Sequence, residues 1–203
     1  MRTRAVIACA AVLLLSACAA VPPPADTLQP LYQQRLARLG QIDEWILDGR
    51  LAVNDGEDGG SGELRWHQTA TSTRMDFHGA LGRGAWRLQA DPGGAGLSFA
   101  DGRQAWADSV DELVRSEAGW PIPVASLAWW VRGLAAPGEV ERLELDEQGQ
   151  PSDLRQDGWS VEYGRYGAVG GESLPLRMIA RQGDRVVKLA VRKWRLAVPG
   201  DAL

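Results

Sequence analysis

Short runs of alternating polar and apolar residues dominate this chain from residue 44 onward. The runs occupy 44–53, 62–68, 72–78, 84–90, 96–100 and 103–107, and they resume at 140–145, 153–157, 159–164, 175–181 and 185–196. Clusters of Gly, Asp and Asn separate the runs, the longest over 54–62, and predict tight turns. Because alternation puts every second side chain on one face, the pattern predicts an antiparallel meander with one buried face. A sheet of about eleven such strands must coil or close to protect its edges.

Three helices are predicted beside the strands. Residues 28–39 carry apolar side chains at helical spacing, and Gly40 follows as a stop. Ser109 and Glu112 form a capping box at the start of a second helix. Residues 120–134 follow with an apolar stripe. The fold class is therefore mainly β, of the α+β type, with a strongly curved antiparallel sheet and helices over its concave face.

The N-terminus has the features of a secretory signal. Two arginines precede an apolar run of about 11 residues, which is shorter than the roughly 20 residues of a membrane-spanning helix. The run ends in Leu-Ser-Ala-Cys at 15–18, which matches the lipobox of bacterial lipoproteins. This pattern predicts a lipoprotein signal peptide over 1–17, cleaved before a lipidated Cys18. An ordinary signal peptide cut at a nearby alanine is the alternative.

The residues after the cleavage site define the rest of the domain organisation. Residues 18–27 form a lipidated N-terminus and a tether stiffened by prolines, and residues 28–203 form a single domain. Cys9 lies in the removed segment, so no disulfide is available and the domain depends on its buried core. Removal of the two signal-peptide arginines changes the formal net charge from −4 to −6, which argues against a nucleic-acid partner.

Patterns typical of catalytic, metal or nucleotide sites are weak in this chain. His67 and His78 are its two histidines, and neither has a second ligand at metal-site spacing. Residues 59–63 lack the second glycine of a nucleophile elbow, and residues 55–60 fail a calcium loop at its fifth position. We therefore predict no catalytic residue, no metal and no cofactor.

Tryptophan is unusually frequent, with nine of the fourteen aromatic residues. Most are expected in the core of the sheet. Trp129 and Trp130 are adjacent, so their side chains diverge by about 100° on a helix and need either a thick core or a hollow that something else fills. An open cavity lined by Trp, Leu and Val would suit an acyl chain. The candidate lid and cavity residues are Leu127, Trp129, Trp130, Val131 and Leu134.

A glycine-rich turn over 79–84 carries an unusual leucine, Leu81, near its tip. The glycines allow positive φ and predict a tight connection between two strands. A leucine at such a tip has no core to reach. Single exposed apolar residues are common on protein surfaces, so an ordinary surface leucine is one interpretation and an apolar contact with lipid is the other.

Four segments of the chain carry a family resemblance. Residues 118–134 read AGWPIPVASLAWWVRGL, residues 46–53 read ILDGRLAV, residues 79–89 read GALGRGAWRLQ and residues 185–194 read RVVKLAVRKW. They resemble, in that order, the Gly-x-Pro-Ile-Pro helix, the first strand, the Asn-Pro-Leu-Gly loop and the final strand of the LolB family. The helix is the most specific match. Gly and Ala stand in place of the Asn and Pro of the loop, which predicts a more flexible turn.

The resemblance implies an unclosed β-barrel with a helical lid over an apolar cavity. It also implies a receptor, lipid-anchored in the outer membrane and facing the periplasm, that accepts lipoproteins from the soluble carrier LolA and inserts them into that membrane. The implied partners are LolA, the acyl chains of client lipoproteins and outer-membrane lipids, with a monomeric protein and neither nucleotide nor metal. Ala19 resembles an outer-membrane sorting signal, and Leu81 matches the family's protruding membrane-insertion leucine.

Two other functional classes are compatible with the residues. A structural or assembly lipoprotein would share the anchor and the curved sheet, but it would bind a protein partner rather than a fatty acid. A lipid-modifying enzyme would need an acid–base or nucleophilic cluster facing the cavity. The candidates for such a cluster are His67, His78, Asp76 and Glu63.

Overall fold

The computed structural model describes residues 25–79, 84–118 and 122–197. The helices in these ranges are α1 (Ala25–Gly40), α2 (Val110–Ala118) and α3 (Val124–Trp130). The strands are β1 (Trp45–Asn54), β2 (Gly59–Gln68), β3 (Thr73–Gly79), β4 (Trp86–Asp91), β5 (Gly94–Phe99), β6 (Gln104–Ala107), β7 (Arg142–Leu145), β8 (Pro151–Gln156), β9 (Trp159–Val169), β10 (Glu172–Gln182) and β11 (Arg185–Leu196). This content confirms the predicted class, in which strands dominate.

All of these strands belong to one sheet, in the order β6-β5-β4-β3-β2-β1-β11-β10-β9-β8-β7. Strands β1 and β11 pair with each other, so the first and last strands meet in the middle of the sheet. Apart from β6 and β7, strands that follow one another in sequence are also neighbours in the sheet. Within the described ranges β6 and β7 are the two edges and do not pair, so the curved sheet is an unclosed barrel, as predicted.

A β-bulge lies where the first strand, β1, pairs with the last, β11. The register of β1 against β11 shifts between Asp48 and Gly49. A Cβ atom at Gly49 would lie 2.5 Å from the carbonyl oxygen of Ala190, so the two backbones approach more closely than a side chain permits. The glycine of the ILDGRLAV segment is therefore required by this close approach. The bulge also increases the local twist that curls the sheet.

The buried face of the sheet forms a core rich in tryptophan. Trp45 lies against Trp66 with ring centroids 5.1 Å apart, and against Trp194 at 5.4 Å. These rings come from β1, β2 and β11, the central strands, so they fill the middle of the concave face. Trp106 on β6 differs from them, since 76% of its surface is exposed.

The structure differs from the sequence predictions mainly at the ends of elements. Strand β2 begins at Gly59, inside the turn predicted over 54–62, because its glycines pair with β1 despite their turn-like composition. Helix α3 ends at Trp130, whereas the predicted helix covers 120–134. The chain leaves the helix there and enters a loop in which Gly133 has a φ of +71°.

Several predicted features lie outside the described residues. They are the signal peptide over 1–17, the lipidation site Cys18, and Leu81 in the connection between β3 and β4. Most of the predicted tether over 18–27 also lies outside, and its last residues belong to α1, which begins at Ala25 rather than at residue 28. None of the described helices combines the length and the apolar character that a membrane crossing requires.

Candidate functional site

A cavity of about 380 Å³ lies between the concave face of the sheet and the helices α2 and α3. Strands β1 to β5 form one wall, and β10 and β11 complete it. Helix α2 contributes Val114, and α3 contributes Val124 and Leu127. The volume falls within the range of about 300–1,000 Å³ that is usual for ligand pockets. The cavity is therefore the candidate binding site.

The lining offers hydrocarbon surface and few hydrogen-bonding groups. Phe77 and Trp86 stack across β3 and β4, with ring centroids 5.0 Å apart and an interplanar angle of 13°. Ser61 and Glu117 supply the only hydroxyl and carboxyl groups among the described lining residues. The Ser61 hydroxyl accepts a hydrogen bond of 3.2 Å from Arg50, an exposed residue on the exterior of the sheet. Glu117 is the one charged residue among the described lining residues. Such a surface binds an apolar chain through burial rather than through hydrogen bonds.

Two of the five candidates predicted from the sequence line this cavity. They are Leu127 on α3 and Val131, which follows the helix. The other three, Trp129, Trp130 and Leu134, do not line it. Leu134 is fully buried in the core. The helix and the loop after it thus present only part of their apolar stripe to the cavity.

Trp130 holds α3 to the sheet instead of facing the cavity. Its indole N–H donates a 3.0 Å hydrogen bond to Oε1 of Gln156, and its ring lies 6.3 Å from that of Trp159. The Tyr163 hydroxyl donates to the carbonyl oxygen of Trp130 at 3.0 Å, and burial raises the pKa of that hydroxyl, so it stays protonated. Leu127 lies on the side of the helix that faces the cavity. Trp130, three residues later, points in a different direction and contacts β8 and β9.

Trp129 packs against a buried arginine. The guanidinium carbon of Arg132 lies 4.7 Å from the centroid of the Trp129 ring. Arg132 also donates hydrogen bonds to the carbonyl oxygens of Leu39 at 2.9 Å and Ile42 at 3.3 Å, where α1 ends. Burial lowers the pKa of Arg132 to about 10, which leaves it cationic at neutral pH. Its positive charge complements the negative end of the α1 dipole.

Arg35 on α1 makes the reciprocal contacts. Its guanidinium donates to the carbonyl oxygens of Arg132 at 2.7 Å, Gly133 at 3.2 Å and Ser173 at 2.6 Å. Burial lowers the pKa of Arg35 as well. Arg35 and Arg132 together form what we call the arginine clasp, which ties the loop after α3 to α1. Neither residue was identified from the sequence.

The residues considered for an enzyme lie on the exterior of the sheet. His67 pairs with Glu44 at 2.9 Å, and Asp76 and Glu63 each pair with exterior arginines. None of these side chains lines the cavity, and His78 does not line it either. In the described part of the chain, no three His, Cys, Asp or Glu side chains are grouped as metal ligands. Those four candidates therefore have no direct access to a chain bound in the cavity.

An unclosed sheet that curves around an apolar cavity beneath helices has a counterpart of similar fold among solved structures. A solved structure from Vibrio parahaemolyticus, described as an outer membrane lipoprotein-sorting protein domain, matches with a TM-score of 0.51. The match covers 88% of this chain and 95% of that chain at 10% sequence identity. At this identity the likeness concerns the fold alone.

Sequence comparison identifies the family to which the chain belongs. The family described as outer membrane lipoprotein LolB matches residues 43–194. A LolB from Alkalilimnicola ehrlichii is 39% identical over 197 residues, covering 97% of this chain and 98% of the relative. One from Pseudomonas aeruginosa is 36% identical over 203 residues, covering 96% and 97%. The chain belongs to the LolB family of outer-membrane lipoproteins, which confirms the predicted family and location.

Proposed function

We propose that the protein is an outer-membrane receptor that accepts lipoproteins from the periplasmic carrier LolA and inserts them into the outer membrane. The observation that carries this proposal is the cavity of about 380 Å³, whose described lining is apolar except for Ser61 and Glu117. The acyl chain of a lipoprotein is a ligand that such a lining suits. Membership of the LolB family supports the same role.

The hydrophobic effect is sufficient for this function. Each methylene group removed from water contributes about 0.8 kcal/mol, so burial of about ten methylenes contributes about 8 kcal/mol to binding. Transfer from one apolar cavity to another, or into a bilayer, exchanges similar environments and has a small net free energy. The proposed transfer therefore requires no nucleotide, metal or catalytic group.

The five candidate residues divide into two proposed roles. Leu127 and Val131, which line the cavity, would contact the acyl chain directly. Trp129, Trp130 and Leu134 would hold the helix and its following loop in place, because their contacts are with Arg132, the β8–β9 strands and the core. Substitutions in the first group should affect binding, whereas those in the second should affect stability first.

The proposed domain organisation is a signal peptide over 1–17, a lipidated tether over 18–27 and a binding domain over 28–203. Replacement of Cys18 by Ala is expected to abolish lipidation, because it removes the thiol of the lipobox, and to yield an uncleaved or unanchored protein. Incorporation of radiolabelled palmitate measures this directly. Cys9→Ala, which lies in the removed segment, is the control and should be labelled normally. Palmitate in the Cys18→Ala variant would refute the proposed anchor.

Leu81 is proposed to contact lipid during release. The change Leu81→Glu should leave the melting temperature in the range of ordinary surface substitutions, because a side chain at the tip of the turn predicted from the sequence would contribute little to the core. The carboxylate resists entry into an apolar interface and is repelled by anionic headgroups. We expect the variant to accept lipoprotein from LolA but to insert it poorly into liposomes. Normal insertion of lipoprotein into liposomes would show that Leu81 is an ordinary surface residue. Failure to accept lipoprotein from LolA would show that Leu81 belongs to the surface that docks the carrier.

Transfer from a loaded carrier tests the proposed function as a whole. A complex of LolA with a labelled lipoprotein is mixed with this protein, and the label is followed by affinity separation of the two proteins. The label should move to this protein without added nucleotide. If this protein took up neither the labelled lipoprotein nor a fatty acid but still bound a protein partner, it would instead be a structural or assembly lipoprotein.

A further inference from the structure

The exterior of the sheet, on the side away from the cavity, carries an excess of positive charge across β11 and β1 to β4. Exterior residues at matching register positions form rows across these strands. The cations in three adjacent rows are Arg50, Arg65, Arg74, Arg87, Lys193 and Arg195. Arg192, which pairs with Glu63, adds a seventh cation. Asp48, Glu63 and Asp76 lie within the rows, and Glu44 pairs with His67 beside them, so seven cations face four carboxylates and an excess of three remains. We call this surface the basic face; the whole chain, by contrast, has a net charge of −4.

Two carboxylates of the basic face are each shared between two cations. Asp76 is shared by Arg74 and Arg87, and Asp48 is shared by Arg65 and Arg195. One carboxylate cannot neutralise two guanidinium groups. The arginine side chains on β2, β3 and β4 also remain 45–53% exposed. An external anion therefore has both access to these groups and a charge to pair with.

Trp106 lies at the edge of the same exterior surface. It pairs in register with Gly96, which pairs with Gln89, which pairs with Arg74 of the basic face. A Cβ atom at Gly96 would lie 2.6 Å from the Trp106 ring, so the ring covers the backbone of β5 while its outer side stays exposed. Indole rings favour the level of lipid headgroups, where one side is apolar and the other is wet.

We infer that the basic face binds the anionic headgroups of a phospholipid leaflet, with Trp106 at the headgroup level. A positively charged surface with an exposed indole at its border has the chemistry of an interfacial membrane site. The chain belongs to a family of outer-membrane lipoproteins, so a leaflet is the polyanion that lies beside it. The inference does not depend on acyl-chain binding in the cavity.

This contact would set the orientation of the domain. The cavity, α2 and α3 lie on the concave side of the sheet, opposite the basic face. With the basic face against the leaflet, those helices would face the periplasm. A soluble carrier could then approach the cavity while the sheet stays on the membrane.

Fluorescence quenching in proteoliposomes tests the inference on the acylated full-length protein. The emission of Trp106 is taken as the difference between the wild type and Trp106→Phe. In vesicles with about one-third phosphatidylglycerol, lipids with a spin-labelled headgroup should quench this component, and aqueous acrylamide should lose access to it. In pure phosphatidylcholine vesicles, or at about 1 M salt, where the Debye length falls to about 3 Å, both effects should disappear.

Charge variants separate the basic face from the net charge of the protein. Each cation near an anionic leaflet raises the binding constant about fivefold, so Arg50→Gln with Lys193→Gln should shift the docked–undocked equilibrium about 30-fold toward the undocked state. Arg142→Gln with Arg155→Gln, on the exterior of β7 and β8, makes the same charge change and should have little effect. Equal effects of the two pairs would overturn the inference. The inference would also be overturned if acrylamide quenched Trp106 equally in both kinds of vesicle. A basic face that bound an acidic polypeptide but no vesicle would overturn it as well.

Discussion

Replacement of Arg35 by methionine is expected to lower the free energy of unfolding by about 3–5 kcal/mol. Methionine keeps much of the aliphatic bulk but removes every donor. The carbonyl oxygens of Arg132, Gly133 and Ser173 would lose their hydrogen bonds to this side chain. Each buried acceptor left without a partner costs about 1–3 kcal/mol. Because domains are stable by only about 5–15 kcal/mol, this single change should remove a large share of the stability.

Arg38, on the same helix, provides the matched control. Its side chain is 55% exposed and pairs with Glu172 at 2.9 Å. A surface ion pair of this kind contributes about 0–1 kcal/mol, so Arg38→Met should unfold at nearly the wild-type urea concentration. Urea unfolding of the three proteins, followed by tryptophan fluorescence, makes the comparison. Similar midpoints for Arg35→Met and Arg38→Met would show that the arginine clasp does not hold the loop after α3 in place.

Replacement of Gly60 by phenylalanine is expected to weaken acyl-chain binding by on the order of a hundredfold. Gly60 lines the cavity, and a Cβ atom built there meets no other atom within 4 Å. Its φ lies outside the left-handed region, so a larger residue fits the backbone. A ring that excludes about four methylenes of the ligand removes about 3 kcal/mol of burial, which corresponds to that loss of affinity. Titration with a fluorescent fatty acid measures the change.

Ser160→Phe is the control for the cavity-filling variant. Ser160 lies on the exterior of β9, next to Trp159, whose side chain is buried on the opposite face. The same ring is added there without entering the cavity, so binding should be unchanged. Both variants should melt close to the wild type, since neither one removes a buried group. Wild-type affinity in a folded Gly60→Phe protein would show that the acyl chain does not bind where the cavity lies.

The strands could be predicted because one face of the sheet is buried. Leu64 and Trp66 are buried while Arg65 between them is exposed, so the alternation of buried and exposed side chains is visible in the sequence as alternating apolar and polar residues. The bulge at Gly49 could not be predicted in this way. It arises from the pairing of β1 with β11, where Gly49 lies opposite Val191 and close to the carbonyl oxygen of Ala190. Both partners are distant in sequence, and the local pattern contains no sign of that contact.

The cavity was only partly predictable. Phe77, Trp86 and Phe99 line it but carry the same inward-facing apolar pattern as residues of a filled core. Whether such a face encloses a hollow depends on how far α2 and α3 stand from the sheet, which no local pattern reports. The adjacent pair Trp129 and Trp130 raised the question of a hollow, but the aliphatic residues of the stripe face it.

The burial of Arg35 and the exterior position of Trp106 could both have been predicted from the periodicity of their elements. Arg35 lies three residues after Tyr32 and four before Leu39, on the buried stripe of α1, so its burial follows from helical spacing. Trp106 shares a strand face with Gln104, whereas the small Ala105 lies on the other face and packs against the core. Alternation within β6 therefore already assigns Trp106 to the exterior.

Photo-cross-linking from the acyl chain identifies the residues that this chain contacts when it is bound. A lipoprotein that carries a diazirine near the end of its acyl chain is transferred to this protein and irradiated, and the cross-linked peptides are identified by mass spectrometry. We expect cross-links to cavity residues such as Met75, Trp86 and Leu127, and we expect these cross-links to be lost in Gly60→Phe. Cross-links confined to the exterior of the sheet, or unchanged in Gly60→Phe, would show that the acyl chain binds outside the cavity.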